Sequence, residues 1–227
     1  MRILVDTLGG RTGEVTEADV ADLYRAPRLP WLRVNMVSTV DGAANGVTGK
    51  SGSINNAVDR AVFHALRAES DAILVGAGTA RTEEYGEAAV PLVLVSHSGT
   101  VPEKLVGCPD GKVLMATCAS SPGLDDARAI LGPDQVIVAG DAQVDLPGVK
   151  AALVERGLRD LLSEGGPSLL RTLVASGAAD ELTLTVVPRL IAGVHPRILS
   201  GEDIDTNLDL ALLLEQDGTL LARYLTR

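Results

Sequence analysis

The chain has 227 residues, 46% hydrophobic and 22% charged, a globular balance that excludes a disordered tail and a collagen-like repeat. Thirty acidic against 20 basic residues give a formal charge of −10, and no Lys/Arg run offsets it, so nucleic acid is not an expected partner. One Phe, one Trp and three Tyr leave the core to Val, Leu, Ile and Ala, the residues of buried parallel strands and the helices that cover them.

Thr16, Glu17, Ala18 and Asp19 make a cap-like start to a short helix reaching about Tyr24, followed by a Pro-bounded loop over 26–30. A strand over 31–40 ends at the Asp41-Gly42 turn, and the Gly- and Asn-rich stretch 43–53 reads as an irregular loop. The spacing predicts a helix over 55–69 with Val58, Val62, Ala65 and Leu66 on its core face. A buried strand over 71–75 then runs into the glycine turn Gly76-Ala77-Gly78-Thr79. The rhythm continues with strands over 91–96, 112–117, 135–139 and 160–163, and helices over 125–131, 149–156 and 168–176. The stretches around Asp110, Gly123 and Pro147 read as ordinary loops. At the end, residues 181–187 alternate, and 208–215 and 219–225 flank the hairpin signal Gln216-Asp217-Gly218.

These elements predict an α/β chain: a mostly parallel central sheet with helices on both faces and an antiparallel C-terminal hairpin. The chain reads as one unit over 1–227, with 1–30 as an N-terminal extension before the core at 31–227. Cys108 and Cys118 form no C-x-x-C pair and have no nearby His, so neither a metal site nor a disulfide is expected. The first ten residues are too short an apolar stretch for a signal peptide, and no run approaches the roughly 20 residues of a membrane helix. The expectation is a soluble cytoplasmic protein acting on a small molecule, without a membrane partner.

Two glycine turns carry the chemistry. Gly76 to Thr79 follows one apolar strand, and Glu164-Gly165-Gly166-Pro167-Ser168-Leu169 follows another and opens a helix. Glycine lets a phosphate approach the backbone, and the free N–H groups of a first helical turn favour an anion. Two such turns at strand ends point to a nucleotide-type ligand at the carboxyl ends of the strands.

The stretches VNMVSTVDG at 34–42, RAESDAILVGAGT at 67–79, EGGPSLL at 164–170, ADEL at 179–182 and Val187-Pro188 occur in this order. Together they resemble the reductase domain of RibD, the pyrimidine reductase of riboflavin biosynthesis, whose fold is that of dihydrofolate reductase. The resemblance implies an NADPH-dependent reductase, often a homodimer, that reduces the ribosyl group of a phosphoribosylaminopyrimidine to ribityl. A dimer also fits alternating C-terminal strands that leave an edge or an apolar face to cover. The deaminase half of the bifunctional protein has no counterpart, since H-x-E with P-C-x-x-C is absent, so no zinc is implied.

Carried over by residue, the resemblance implies a cofactor site of Gly76, Gly78, Thr79, Gly165, Gly166, Pro167, Ser168 and Leu169, joined by Ser38, Asn55, Ser96 and His97. Ser51, Ser53 and Arg67 are the implied substrate contacts, and Asn35, Glu83 and Glu164 the catalytic candidates. Asn35 stands where the bifunctional enzymes carry Lys, Glu83 where they carry Asp, and the Arg expected soon after has no counterpart in 84–91. That removes two cations from a pocket meant for a phosphorylated ligand and leaves Arg67 and Arg81 as the nearby charges. At the adenosine end, where Arg is usual, the chain has Ser96-His97-Ser98-Gly99-Thr100, so a 2′-phosphate would meet hydroxyls and an imidazole. Plain structural roles are open to the same residues: a helix-start acid for Glu164, capping for Ser51 and Ser53, a solvated charge for Arg67. The alternatives are a same-fold reductase of another substrate, such as a pterin or carbonyl compound, and a non-catalytic nucleotide-binding protein.

Overall fold

The structure is a computed structural model that describes all residues, 1–227. Apolar runs of four to nine residues form most of one 11-stranded sheet. In chain order the strands are β1 (Arg2–Asp6), β2 (Gly13–Glu14), β3 (Trp31–Thr39), β4 (Ala72–Gly76), β5 (Leu92–Val95), β6 (Val113–Thr117), β7 (Val136–Val138), β8 (Asp160–Ser163), β9 (Glu181–Val187), β10 (Leu208–Gln216) and β11 (Thr219–Thr226). Their spatial order is β2-β1-β10-β11-β9-β3-β8-β4-β5-β6-β7. The stretch from β9 to β7 is parallel, and the pairings among β9, β11, β10, β1 and β2 are antiparallel.

Parallel strands need covering on both faces, and alternate residues of each strand supply both. Ile73 and Val75 of β4 pack with Val58, Val62 and Leu66 of α2 (Ala57–Glu69), after the short α1 (Val20–Leu23). Leu74, from the same strand, faces the other way, against Leu146, Val149 and Leu153 of α5 (Leu146–Glu155) and Leu169, Leu170 and Leu173 of α6 (Pro167–Ala175). Two shorter helices, α3 (Ala77–Thr82) and α4 (Leu124–Leu131), place Ala80 and Ala127 on the α2 face. Each fully buried Leu, Val or Ile contributes about 1.5–3 kcal/mol, so the two faces hold the strand ends firmly in place.

Three readings change. Residues 1–30 contribute β1 and β2 to the sheet and are not an appendage to it. Pro147 lies in the first turn of α5, where a missing N–H costs nothing, and not in a loop. Gly76 to Thr79 is both a turn and the start of α3. The C-terminal hairpin forms as expected, with Asp217 and Gly218 at φ 52° and 75°, the left-handed conformations of a two-residue hairpin turn. Its strand β10 is not an edge, however, because β1 pairs along it. No helix is long and apolar enough to cross a membrane.

Candidate active site

The carboxyl ends of β4, β5 and β8 open onto a cleft of about 890 Å³. Its floor is the two glycine turns: Gly76, Gly78, Thr79, Gly166, Pro167, Ser168 and Leu169 line it, with Ser96 and His97 at the end of β5. The turns are stitched together. Gly76 N–H donates to Gly165 O at 2.9 Å, and Gly166 N–H donates to Thr79 Oγ1 at 3.2 Å. The Gly165–Gly166 peptide is cis, and Gly165 has φ +75°, a conformation that favours glycine. A Cβ on Gly166 would stand 2.2 Å from Thr79 Oγ1, whereas one on Gly78 would meet nothing within 4 Å. Backbone at Gly78 is therefore open to a ligand. The N–H groups of Ser168 and Leu169, in the first turn of α6, have no partner in the chain and suit an anion. These features fit a dinucleotide. Arg81 and Arg171 also line the cleft; Arg171 is bound to Glu202 at 2.9 Å, while Arg81 forms no ion pair.

Past Thr79 and Gly166 the cleft continues into two smaller recesses of about 340 and 330 Å³ that share Val37, Ser51, Glu83, Tyr85 and Glu164. Glu83 Oε1 accepts from the Ser51 N–H at 2.7 Å, which pins the loop before α2 against the end of α3. Asn35 and Asn55 line the outer recess. Asn35 Oδ1 accepts from Thr183 Oγ1 at 2.9 Å, leaving its NH₂ without a partner in the chain. Asn55 Oδ1 accepts from Arg60 at 3.1 Å.

Glu164 is the node of this wall. Buried at the end of β8, it accepts from Arg67 Nε at 2.6 Å and Nη2 at 2.7 Å, and from the Tyr85 hydroxyl at 2.5 Å. The guanidinium lies 4.4 Å from the Phe63 ring centre and 5.7 Å from that of Tyr85. Burial alone would lower the Arg67 pKa, but the Glu164 carboxylate outweighs it and the group rises above its ordinary range. Tyr85 is pushed up, first by burial and then by the neighbouring Glu164 charge, so it stays a hydrogen-bond donor and is a poor acid. Both oxygens of Glu164 are thus occupied by internal donors, an arrangement suited to positioning and not to proton transfer.

Two residues named from the sequence lie elsewhere. Ser38 is buried in β3, outside the lining of the cleft and recesses. Ser53 also lies outside that lining and closes its own loop, donating to Lys50 O at 2.7 Å and accepting from Gly46 N–H at 3.1 Å. Gly165 supports the turn from beneath, its would-be Cβ 2.6 Å from Met36 Sδ. Sequence reasoning missed Tyr85, Asp59 and Asn45, which line the recesses, and Gln143, Arg171 and Ser200 to Glu202, which line the cleft. Asp41, read as a turn residue, also accepts from Ile191 N–H at 3.0 Å and Ala192 N–H at 2.8 Å, and so anchors the 189–207 loop to β3. Those bonds, with the Thr39 hydroxyl first among them, lower its pKa to about 2.

A 2,5-diamino-6-ribosylamino-4(3H)-pyrimidinone 5′-phosphate reductase from Methanothermobacter thermautotrophicus is 29% identical over 204 residues, 84% of this chain and 94% of that protein. The riboflavin biosynthesis protein RibD of Bacillus amyloliquefaciens is 27% identical over 80% of this chain, which spans only 52% of that longer protein. The crystal structure of a pyrimidine reductase-like protein from Corynebacterium diphtheriae superposes with a TM-score of 0.79 at 27% identity, covering 94% of this chain and 99% of that one. The profile of the RibD C-terminal domain matches residues 30–220, and the chain belongs to that family.

Proposed function

We propose that the chain is an NADPH-dependent oxidoreductase that passes hydride to the ribosyl carbon of a ribosylaminopyrimidine. One observation carries the reading: Gly78, Thr79, Gly166 and Pro167 line both the large cleft and the inner recess. These four residues would be shared by a dinucleotide held in the cleft and a substrate held in the recess. The names of several relatives, as pyrimidinone phosphate reductases, support the same chemistry.

The nicotinamide, when bound, supplies the hydride; the chain has to hold donor and acceptor carbons roughly 3–3.5 Å apart. The Ser168 and Leu169 N–H groups, at the positive end of α6, would hold the pyrophosphate, while the Thr79 hydroxyl fixes Gly166. Arg67 and Tyr85 lock Glu164 into the wall, so the recess keeps its shape as charge moves. Asn35 offers its NH₂ to the substrate. It has no proton to give up, whereas Glu83 has one carboxylate oxygen with no partner in the chain and faces both recesses.

Ser96, His97 and the unpaired Arg81 line the same cleft, which supports reading it as the seat of the adenosine 2′-phosphate. Steady-state rates with saturating pyrimidine are expected to favour NADPH over NADH by about tenfold in kcat/KM, the effect of one charged phosphate contact. His97→Ala is expected to narrow that ratio. Equal use of the two cofactors by the unaltered protein would contradict the assignment.

The chain pairs with a second copy through the face of β9, β11 and β10 that carries partly exposed apolar side chains. Leu184, Val186 and Leu213 are half-buried there and Leu220 is exposed, in adjacent register. Sedimentation at micromolar concentration is expected to show a dimer, and Leu213→Glu a monomer. A wild-type chain that stays monomeric would remove the pairing.

A further inference from the structure

The stripe of α2 that lines the outer recess carries Asp59, Phe63 and Arg67 at four-residue spacing, so a carboxylate, an aromatic ring and a guanidinium share one wall. The Arg67 guanidinium is already engaged, lying over the Phe63 ring and balanced by Glu164. Asp59 has no such partner. It is 5% exposed, forms no ion pair, and sits in the first turn of the helix, where Asn56 Oδ1 accepts from its backbone N–H at 3.0 Å. Burial raises its carboxyl above the ordinary 3.8, and the Thr185 hydroxyl and the Arg60 charge offset only part of that. A carboxylate has about four acceptor positions and a single hydroxyl fills one of them, so spare capacity is left on the side of the recess.

A buried acceptor of this kind gains most from a ligand that brings donors, and two adjacent N–H groups in one plane meet a carboxylate with two parallel bonds. The inner recess shares Gly78, Thr79, Gly166 and Pro167 with the cofactor cleft, so the reacting ribosyl carbon belongs there. The outer recess touches none of those four and is left to the groups that the carbon carries. On the edge away from its ribosylamino nitrogen, a 2-amino-4-pyrimidinone ring presents its C2 amino group beside N3–H, an adjacent pair of donors. The deaminated ring presents N3–H between two carbonyl oxygens, one of which would meet Asp59 lone pair to lone pair. Arg67 Nη1 and the backbone N–H groups of Gly52, Gly86 and Ala88, all without partners in the chain, remain as donors for the ring oxygen and the phosphate ester.

Resting on the reductase reading above, we propose that Asp59 determines specificity at this site: its carboxylate reads the C2 amino and N3–H pair of the ring, and is the group that rejects a ring carrying oxygen at C2.

The test is steady-state reduction, with NADPH, of two phosphoribosylamino substrates that differ at C2, the amino pyrimidinone and the corresponding uracil. The unaltered protein is expected to favour the amino form by about a hundredfold in kcat/KM, the effect of one hydrogen bond to a charged group replaced by a repulsion. Asp59→Asn keeps the volume and can turn its NH₂ toward a C2 oxygen, so it is expected to lower kcat/KM for the amino form, raise it for the uracil and bring the ratio to about unity. Asp59→Ser, too short to reach the ring, is expected to level the ratio as well. A purely structural role for Asp59 would lower both rates alike and leave the ratio standing. Equal use of the two rings by the unaltered protein, or a preference that survives in both variants, overturns the proposal and leaves the reductase reading intact. Reduction of neither ring by the unaltered protein removes both readings.

Discussion

Gly166→Val is expected to weaken NADPH binding by about a hundredfold or more in calorimetry, the loss of two to three hydrogen bonds to a charged group. The Cβ alone would stand 2.2 Å from Thr79 Oγ1, so Thr79 must move and release the bond that joins the glycine turns. The two γ-methyls then crowd the turn that leads to the free N–H groups of Ser168 and Leu169. The substituted residue, though buried, lines the cleft and lies outside the helices and strands, so the far-ultraviolet circular dichroism should be unchanged. A variant that binds NADPH within twofold of wild type would leave the turn a packing device and remove the cofactor from it.

Glu181→Gln is expected to destabilise the fold by about 3–5 kcal/mol in denaturant titration, the usual effect of breaking a buried ion pair from one side. Glu181 is fully buried and accepts from Arg33 Nε at 2.9 Å, from Arg223 Nε at 2.9 Å and Nη2 at 2.7 Å, and from Trp31 Nε1 at 3.0 Å. Those two arginines also donate to the backbone carbonyls of Leu23 and Tyr24, which tie residues 1–30 to β3, β9 and β11. Glutamine keeps the volume but leaves two buried guanidinium groups without a counter-charge. The pH dependence follows from the sign of the shift. Burial alone would raise the carboxyl, but Arg33 and then Arg223 hold it below its ordinary 4.5. The stabilisation is therefore complete above that value and lost as pH falls through the lower folded-state value. The variant should lose part of the acid-side slope; a stability within 1 kcal/mol of wild type would show the ion cluster to be neutral.

The parts of this structure that were legible in the sequence are those whose signals are local. Leu92 to Val95 and Val113 to Thr117 are short apolar runs between turn residues, and both are strands within one residue of expectation. The Asp217-Gly218 turn identifies its hairpin because both positions require left-handed backbone. The strand β1 was not legible: its five residues are a strand only because Leu212 to Glu215, some 200 positions away, pair with them. The same limit applies to the site. Glycine turns announce a phosphate cradle through backbone chemistry, but the link from Glu164 to Arg67 spans 97 residues and that to Tyr85 spans 79. No spacing rule reaches that far, so a solvated helix charge and a locked wall residue look alike in the sequence. Ser38 and Ser53 illustrate the converse. Both hydroxyls suit a ligand by type, and the fold turns one into β3 and the other back onto its own loop.

The central claim, hydride transfer from a nicotinamide in this cleft to the ribosyl carbon of a pyrimidine, is tested most directly by isotope. NADPH carrying deuterium on the transferring C4 position is incubated with the protein and the ribosylaminopyrimidine, and the product is read by mass spectrometry. The predicted result is one deuterium on the former ribosyl carbon for each NADPH oxidised, with the opened ring oxygen protonated from solvent. NADPH oxidation without labelled ribityl product, or no oxidation at all while the cofactor is bound, would contradict it.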